Sequence, residues 1–94
     1  MDTAMVTKKV TEIVRAILKQ KKNAREIDDL SENMNLISDI GLTSLDMAQL
    51  VSSLELEFGV DPFADGVTVA DLRTLGNVVS VYGKYAGDSN AITA

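Results

Sequence analysis

One serine lies in an eight-residue stretch whose residue types and spacing could support a phosphate ester. The stretch reads Asp39-Ile40-Gly41-Leu42-Thr43-Ser44-Leu45-Asp46. Ser44 falls where a glycine-containing loop meets an apolar helix that begins near Leu45. The first backbone N–H groups of a helix have no acceptor within it, and the helix dipole is positive there. Both features favour an anion on the Ser44 hydroxyl, and the alternative is that Ser44 only caps the helix.

The residues that the chain lacks exclude several other kinds of chemistry. It contains no Cys and no His, which excludes a disulfide framework, a thiolate metal site and a Ser-His or Cys-His catalytic unit. An enzyme is therefore the poorest of the functional hypotheses, although carboxylates remain. No apolar run approaches the roughly 20 residues that span a bilayer. The first five residues lack the apolar core of a secretion signal, so we expect a cytoplasmic protein.

Charge is divided unevenly along the chain, whose net charge is −5. Most basic residues precede position 26, whereas residues 26–71 contain many acids and no base. An acidic surface repels nucleic acid and favours basic protein partners. A face that is simply solvated is the alternative for any individual charge.

A first amphipathic helix is predicted over roughly residues 3–20, because apolar residues recur at spacings of three and four. These residues are Val6, Val10, Ile13, Val14, Ile17 and Leu18. Lys19, Lys21 and Lys22 suit the negative C-terminal end of this helix. Residues 23–43 form a long polar connection, and a loop of this length is often functional. We expect it to be pinned to the core by Ile27, Leu30, Leu36, Ile37 and Ile40.

The second helix is predicted to run from Thr43 or Ser44 to Phe58. Thr43 and Asp46 fit a capping box at its start, and Gly59 fits a C-terminal stop. The helical repeat predicts that the core-facing side chains are Leu45, Ala48, Val51, Leu54 and Phe58.

Two further helices complete the predicted fold. Thr68 and Asp71 form a second capping-box pattern, which predicts a short helix near residues 68–72, and a last helix follows over about residues 74–86. We therefore expect an all-α fold, a small four-helix bundle with three main helices, one short helix and a long loop after the first helix. Residues 1–94 should form a single domain, with an ordered core over about 3–86 and a frayed tail over 87–94.

The stretch around Ser44 resembles the attachment site of acyl carrier proteins, whose common form reads Asp-Leu-Gly-Ala-Asp-Ser-Leu-Asp. Further along, the run Leu54-Glu55-Leu56-Glu57-Phe58-Gly59 resembles the Leu-Glu-Glu-Glu-Phe-Gly that ends the family's second helix. The resemblance covers roughly residues 6–85. It implies a non-catalytic carrier in which Ser44 bears a covalent 4′-phosphopantetheine arm, supplied from coenzyme A by a phosphopantetheinyl transferase. Cargo would be held as a thioester on the thiol of the arm.

The resemblance also implies contacts with partner proteins. Asp46, Glu55 and Glu57 would face basic docking surfaces on acyl-loading and acyl-using enzymes, as the family's second-helix acids do. Asp39 would anchor the loop or face the transferase, and Met47 would offer a flexible apolar contact beside the serine. The alternatives are a solvated acid at Asp39, a capping role for Asp46 and core packing for Met47. We expect a monomer that binds no nucleic acid and has no membrane span.

The chain departs from the family's pattern near the serine and along the second helix. Thr43 replaces the usual Asp before the serine, and Gln49 and Leu56 stand where many fatty-acid carriers have Glu. The second helix is therefore less acidic than the common type. This favours a specialised carrier of acyl intermediates in fatty-acid, polyketide or specialised lipid biosynthesis. The alternatives are an aminoacyl or peptidyl carrier of a nonribosomal peptide-type pathway, and a helical interaction module without a prosthetic group.

Overall fold

The computed structural model describes residues 3–21 and 30–93, and within these residues helices and turns form but no β-strand. This confirms the expected all-α fold with a long loop after the first helix. None of the described helices combines the length and the apolar character needed to cross a bilayer. The main helices are α1 (Thr3–Gln20), α2 (Ser44–Phe58) and α3 (Leu75–Thr93), and two short 3-10 helices, Pro62–Asp65 and Val69–Asp71, lie between α2 and α3.

The bounds of α2 follow from its two capping sequences. The Thr43 hydroxyl accepts a hydrogen bond from the Asp46 N–H at 3.1 Å, and the Asp46 carboxylate accepts one from the Thr43 N–H at 2.9 Å. At the other end Gly59 has φ +67°, a left-handed conformation that glycine adopts at little cost. Its N–H donates to the Glu55 carbonyl at 2.8 Å. The predicted start, stop and capping box of α2 are therefore confirmed.

The later elements agree with the prediction in part. Thr68 and Asp71 form the predicted capping box around the short helix Val69–Asp71. The 3-10 helix Pro62–Asp65 was not predicted, and α3 ends at Thr93 instead of near residue 86. Glycine inside a helix costs about 1 kcal/mol but does not end it, and no proline follows in this stretch. The division into a core over 3–86 and a tail over 87–94 stays a prediction.

The core is almost entirely aliphatic and lies where the three main helices meet. The predicted face of α1 is confirmed, with Ile13 partly buried and the other five residues buried. On α2 the predicted core-facing residues are confirmed for Val51, Leu54 and the partly buried Phe58, but the prediction was wrong for Leu45 and Ala48. The side chain of Leu45 is 79% exposed, and Ala48 is exposed as well. Met47 and Leu50, which were not predicted to face the core, lie with Val51 and Leu54 on the inward face.

The loop before α2 is fixed against the start of α3 by backbone hydrogen bonds. The Leu36 N–H donates to the Arg73 carbonyl at 2.9 Å, and the Leu75 N–H donates to the Met34 carbonyl at 3.1 Å. Leu36 and Ile40 are buried, as predicted, and Leu30 packs against the core. The prediction was wrong for Ile37, whose side chain points to solvent from a turn. Ile27 lies outside the described residues.

Tyr82 on α3 introduces one polar atom into this core. Its side chain is fully buried, its ring lies 6.3 Å from that of Phe58 between centroids, and its hydroxyl has no hydrogen-bond partner among the described residues. Burial, followed by the nearby Glu55 and Asp61, raises the pKa of Tyr82 to about 12. The hydroxyl is thus kept neutral, but it is desolvated without compensation.

Replacing Tyr82 by phenylalanine should therefore stabilise the fold. Removing an unsatisfied buried hydroxyl recovers its desolvation cost, and we expect the free energy of unfolding to rise by about 1 kcal/mol. Urea denaturation of the two proteins measures this change. Tyr82→Leu is the control, because it also removes the ring beside Phe58 and should lower stability. A loss of stability in Tyr82→Phe would contradict the prediction.

Candidate functional site

Ser44 is the first residue of α2, and its side chain is exposed. Gly41, three residues earlier, has φ +93°, a left-handed conformation that an L side chain rarely adopts. Leu42 is buried, and its N–H donates to the Leu36 carbonyl at 2.9 Å. The chain thus turns at Gly41, is anchored at Leu42 and presents the Ser44 hydroxyl to solvent at the start of a capped helix. The predicted loop-to-helix junction is confirmed.

Lys21, the residue directly after α1, reaches across to this junction. Its ammonium group donates to the Asp46 carboxylate and to the Gly41 carbonyl, the latter at 3.1 Å. These bonds hold the two sides of Ser44, the turn before it and the first turn of α2 after it. The hydrogen bond from Lys21, followed by that from the Thr43 N–H, lowers the pKa of the Asp46 carboxyl. Asp46 is therefore ionised at neutral pH, with its charge offset by a lysine.

Sequence reasoning assigned Lys21 only to the dipole of α1 and missed this contact. The two partners are 25 residues apart, and no local spacing rule connects them. The unequal distribution of charge, with bases before residue 26 and acids after it, was the only signal in the sequence.

The surroundings of Ser44 suit a phosphodiester on its hydroxyl. The hydroxyl is accessible, and the N–H groups in the first turn of α2 lie beside it at the positive end of the dipole. Asp46 would repel an anion there if it were alone, but Lys21 offsets its charge. No buried group would have to be displaced. The residues present therefore fit a phosphopantetheine ester at Ser44.

Asp39 and Met47, two of the expected partner contacts, have structural roles in this fold. The Asp39 carboxylate accepts a hydrogen bond from the Asn35 N–H at 2.7 Å, which anchors the loop while the residue stays exposed. Met47 is only 2% exposed and packs in the core beside Leu50. Because position 47 lies on the inward face of α2, we do not include Met47 among the residues proposed to contact partner proteins.

The two glutamates near the end of α2 also have partners within the chain. Glu57 forms an ion pair with Lys9 of α1, with 2.9 Å between the ammonium and a carboxylate oxygen. Glu55 is partly buried, and burial, followed by the charge of Asp61, raises the pKa of its carboxyl. No group of three or more carboxylates in the described part of the chain could hold a metal ion. A partner role for Asp39, Asp46, Glu55 and Glu57 stays a prediction.

Comparison with known proteins shows the family to which the chain belongs. The family described as "Phosphopantetheine attachment site" matches residues 8–81, a span that includes Ser44 and all of α2. An acyl carrier protein of Thermotoga maritima is 35% identical over 74 residues, which cover 79% of this chain and 88% of that relative. No solved structure matches the chain. The chain therefore belongs to the acyl carrier protein family, as a non-catalytic carrier with covalent 4′-phosphopantetheine as its prosthetic group.

Proposed function

We propose that Ser44 is the attachment point of the arm, and that the protein delivers acyl intermediates between enzymes of fatty-acid, polyketide or specialised lipid biosynthesis in the cytoplasm. The observation that carries the proposal is the exposed Ser44 hydroxyl at the first position of α2, beside an aspartate whose charge Lys21 offsets. Exposure admits a modifying enzyme, and the helix dipole favours the phosphodiester that results.

The chain's own contribution is to hold and present this hydroxyl. A phosphopantetheinyl transferase would bind coenzyme A and supply the base that accepts the Ser44 proton, because the nearby Asp46 carboxylate is held by Lys21, which lowers its pKa and makes it a weak base. The Ser44 oxygen would form a bond to phosphorus as the nucleotide part of coenzyme A leaves. Gly41, Leu42 and Lys21 fix the backbone on the N-terminal side of the hydroxyl. When attached, the arm supplies a thiol that can carry cargo as a thioester.

An acyl cargo is favoured by the relative from Thermotoga maritima, which is named an acyl carrier protein. The uncharged residues Gln49 and Leu56 on α2, where many fatty-acid carriers have glutamate, favour a specialised set of enzymes. Those enzymes, together with the transferase, are the proposed partners. The prosthetic group that the family assigns argues against an interaction module without one.

Mass spectrometry of the protein purified from its own host tests this proposal. Peptide mapping should show one phosphopantetheinyl group on Ser44, and the mass beyond that group should correspond to an acyl chain. An aminoacyl or peptidyl mass would favour the alternative class of carrier. A bare Ser44 in protein isolated with a competent transferase, or an arm on another residue, would overturn the assignment of Ser44.

A further inference from the structure

Within the described residues, Lys21 uses two of the three N–H donors of its ammonium group. An ammonium carries three donors and no acceptor. One donor goes to the Asp46 carboxylate and one to the Gly41 carbonyl. The side chain of Lys21 is 23% exposed, so a third acceptor can approach the ammonium from solvent.

The ammonium group lies beside the backbone that carries Ser44. One oxygen of Asp46, Oδ2, accepts hydrogen bonds from both the Lys21 ammonium and the Thr43 N–H. Lys21 is therefore two hydrogen bonds away from the residue that directly precedes Ser44. Its bond to the Gly41 carbonyl holds it on the loop side of the same junction. A group on the exposed Ser44 hydroxyl would have this cation as a neighbour.

A phosphodiester on Ser44 would bring a second negative charge close to Asp46, and this step rests on the proposed function. The hydrogen bond from Lys21 lowers the pKa of Asp46, so that carboxylate is ionised at neutral pH. A phosphoryl group next to an acid is disfavoured by repulsion between like charges, whereas one next to a basic side chain gains a charge-assisted hydrogen bond. Lys21 is the basic residue that the fold has bound to both sides of this junction.

We propose that Lys21 binds the phosphodiester of the arm with its remaining N–H donor, while it keeps its bonds to Asp46 and Gly41. One ammonium group would then join the turn before Ser44, the first turn of α2 and the base of the arm. The arm would swing only beyond its phosphate. The Lys21 nitrogen would be covered in the protein that bears the arm and partly open in the bare protein.

Competitive acetylation tests this difference in the wild-type protein without any substitution. The bare protein and the protein bearing the arm, with the thiol of the arm blocked beforehand, are treated with acetic anhydride, and the lysines are followed by peptide mapping. We expect acetylation of Lys21 to slow roughly fivefold when the arm is present, as for a partly exposed contact between charged groups. Lys8 and Lys19 are exposed on α1 and should react at unchanged rates. Equal rates at Lys21 in the two forms would overturn the proposal.

Phosphorus NMR observes the other partner of the same contact. In Lys21→Met the ³¹P resonance of the arm should change its chemical shift and become narrower, because the phosphate loses its cation and gains motion. Lys19→Met is the matched control, because it removes an equal charge from the last turn of α1 and should leave the resonance unchanged. Lys21→Arg keeps a charged donor and should stay close to the wild type. Circular dichroism checks that each variant is folded.

A ³¹P resonance that is the same in Lys21→Met and wild type would overturn the proposal, because Lys21 would then stabilise the junction without binding the arm. Peptide mapping of the same samples separates this failure from that of the proposed function. An arm on a residue other than Ser44, or no arm after incubation with coenzyme A and a competent transferase, would overturn the assignment of Ser44 itself.

Discussion

Ser44→Ala should abolish attachment of phosphopantetheine while leaving the fold intact. The substitution removes the hydroxyl oxygen that would form the ester, so the transferase has no acceptor at position 44. The side chain is exposed, and the capping box uses Thr43 and Asp46 instead. We therefore expect the free energy of unfolding to change by less than about 0.5 kcal/mol. Intact-mass measurement after incubation with coenzyme A and transferase, with urea denaturation alongside, checks both parts.

Ser52→Ala is the matched control for this experiment. Ser52 is also an exposed serine of α2, eight positions further along, but it lies inside the helix, away from the free N–H groups of the first turn. This variant should gain one arm, as the wild-type protein does. An unchanged mass shift in Ser44→Ala would show that the arm is attached elsewhere and would overturn the assignment of Ser44.

Asp46→Ala should produce the second large effect, on stability and on modification together. The Asp46 carboxylate accepts hydrogen bonds from the Thr43 N–H and the Lys21 ammonium, so one substitution removes a capping bond and a charge-assisted bond. Capping bonds contribute about 1 kcal/mol and bonds to charged groups somewhat more, so we expect a total loss of about 2 kcal/mol. Transfer of the arm to Ser44 should also slow, because Lys21 would no longer join the turn at Gly41 to the first turn of α2.

The dependence on pH identifies the charged part of this contribution. The pKa of Asp46 is lowered by folding from its ordinary value of 3.8. A carboxyl of this kind stabilises the fold fully above the unfolded pKa, and the contribution is lost as the pH falls through the folded pKa. The difference in stability between wild type and Asp46→Ala should be complete at about pH 7 and shrink below about pH 3.8. Urea denaturation at both ends of this range measures it.

Asp71→Ala separates the ion pair from the cap. Asp71 accepts the Thr68 N–H at 2.8 Å in the same kind of capping box, but within the described residues it forms no ion pair. Asp71→Ala should lower the free energy of unfolding by about 1 kcal/mol and leave transfer of the arm to Ser44 unchanged. Equal losses in Asp46→Ala and Asp71→Ala would mean that Lys21 contributes nothing to stability.

Features that depend on short sequence spacings were predictable. Both capping boxes, the stop at Gly59 and the inward face of α1 are encoded within a few residues of one another, and the structure has all of them. The position of Ser44 at the first residue of α2 follows from the same local signals. The motif around Ser44, together with the first helix, the long loop and the run that ends α2, resembles the family to which the chain belongs.

Features that depend on packing between distant segments were not predictable. α2 carries two overlapping apolar stripes at helical spacing, one through Leu45 and one through Leu50, and only contact with α1 and α3 selects the second. The hydrogen bonds from Lys21 to Asp46 and Gly41 join segments that are 25 and 20 residues apart in the sequence but adjacent in the structure. The length of α3 was underestimated because glycine weakens a helix without ending it.

The buried ring of Tyr82 makes the near-ultraviolet circular dichroism of the protein sensitive to packing in its core. The chain contains no Trp and only two Tyr, so its near-ultraviolet absorption comes almost wholly from Tyr82 and Tyr85. Tyr82 is held in the core at a tilt of 35° to the ring of Phe58, and a fixed asymmetric environment of this kind gives an aromatic ring a circular dichroism signal. Any rearrangement that loosens the contact between α2 and α3 would weaken this band without an added label.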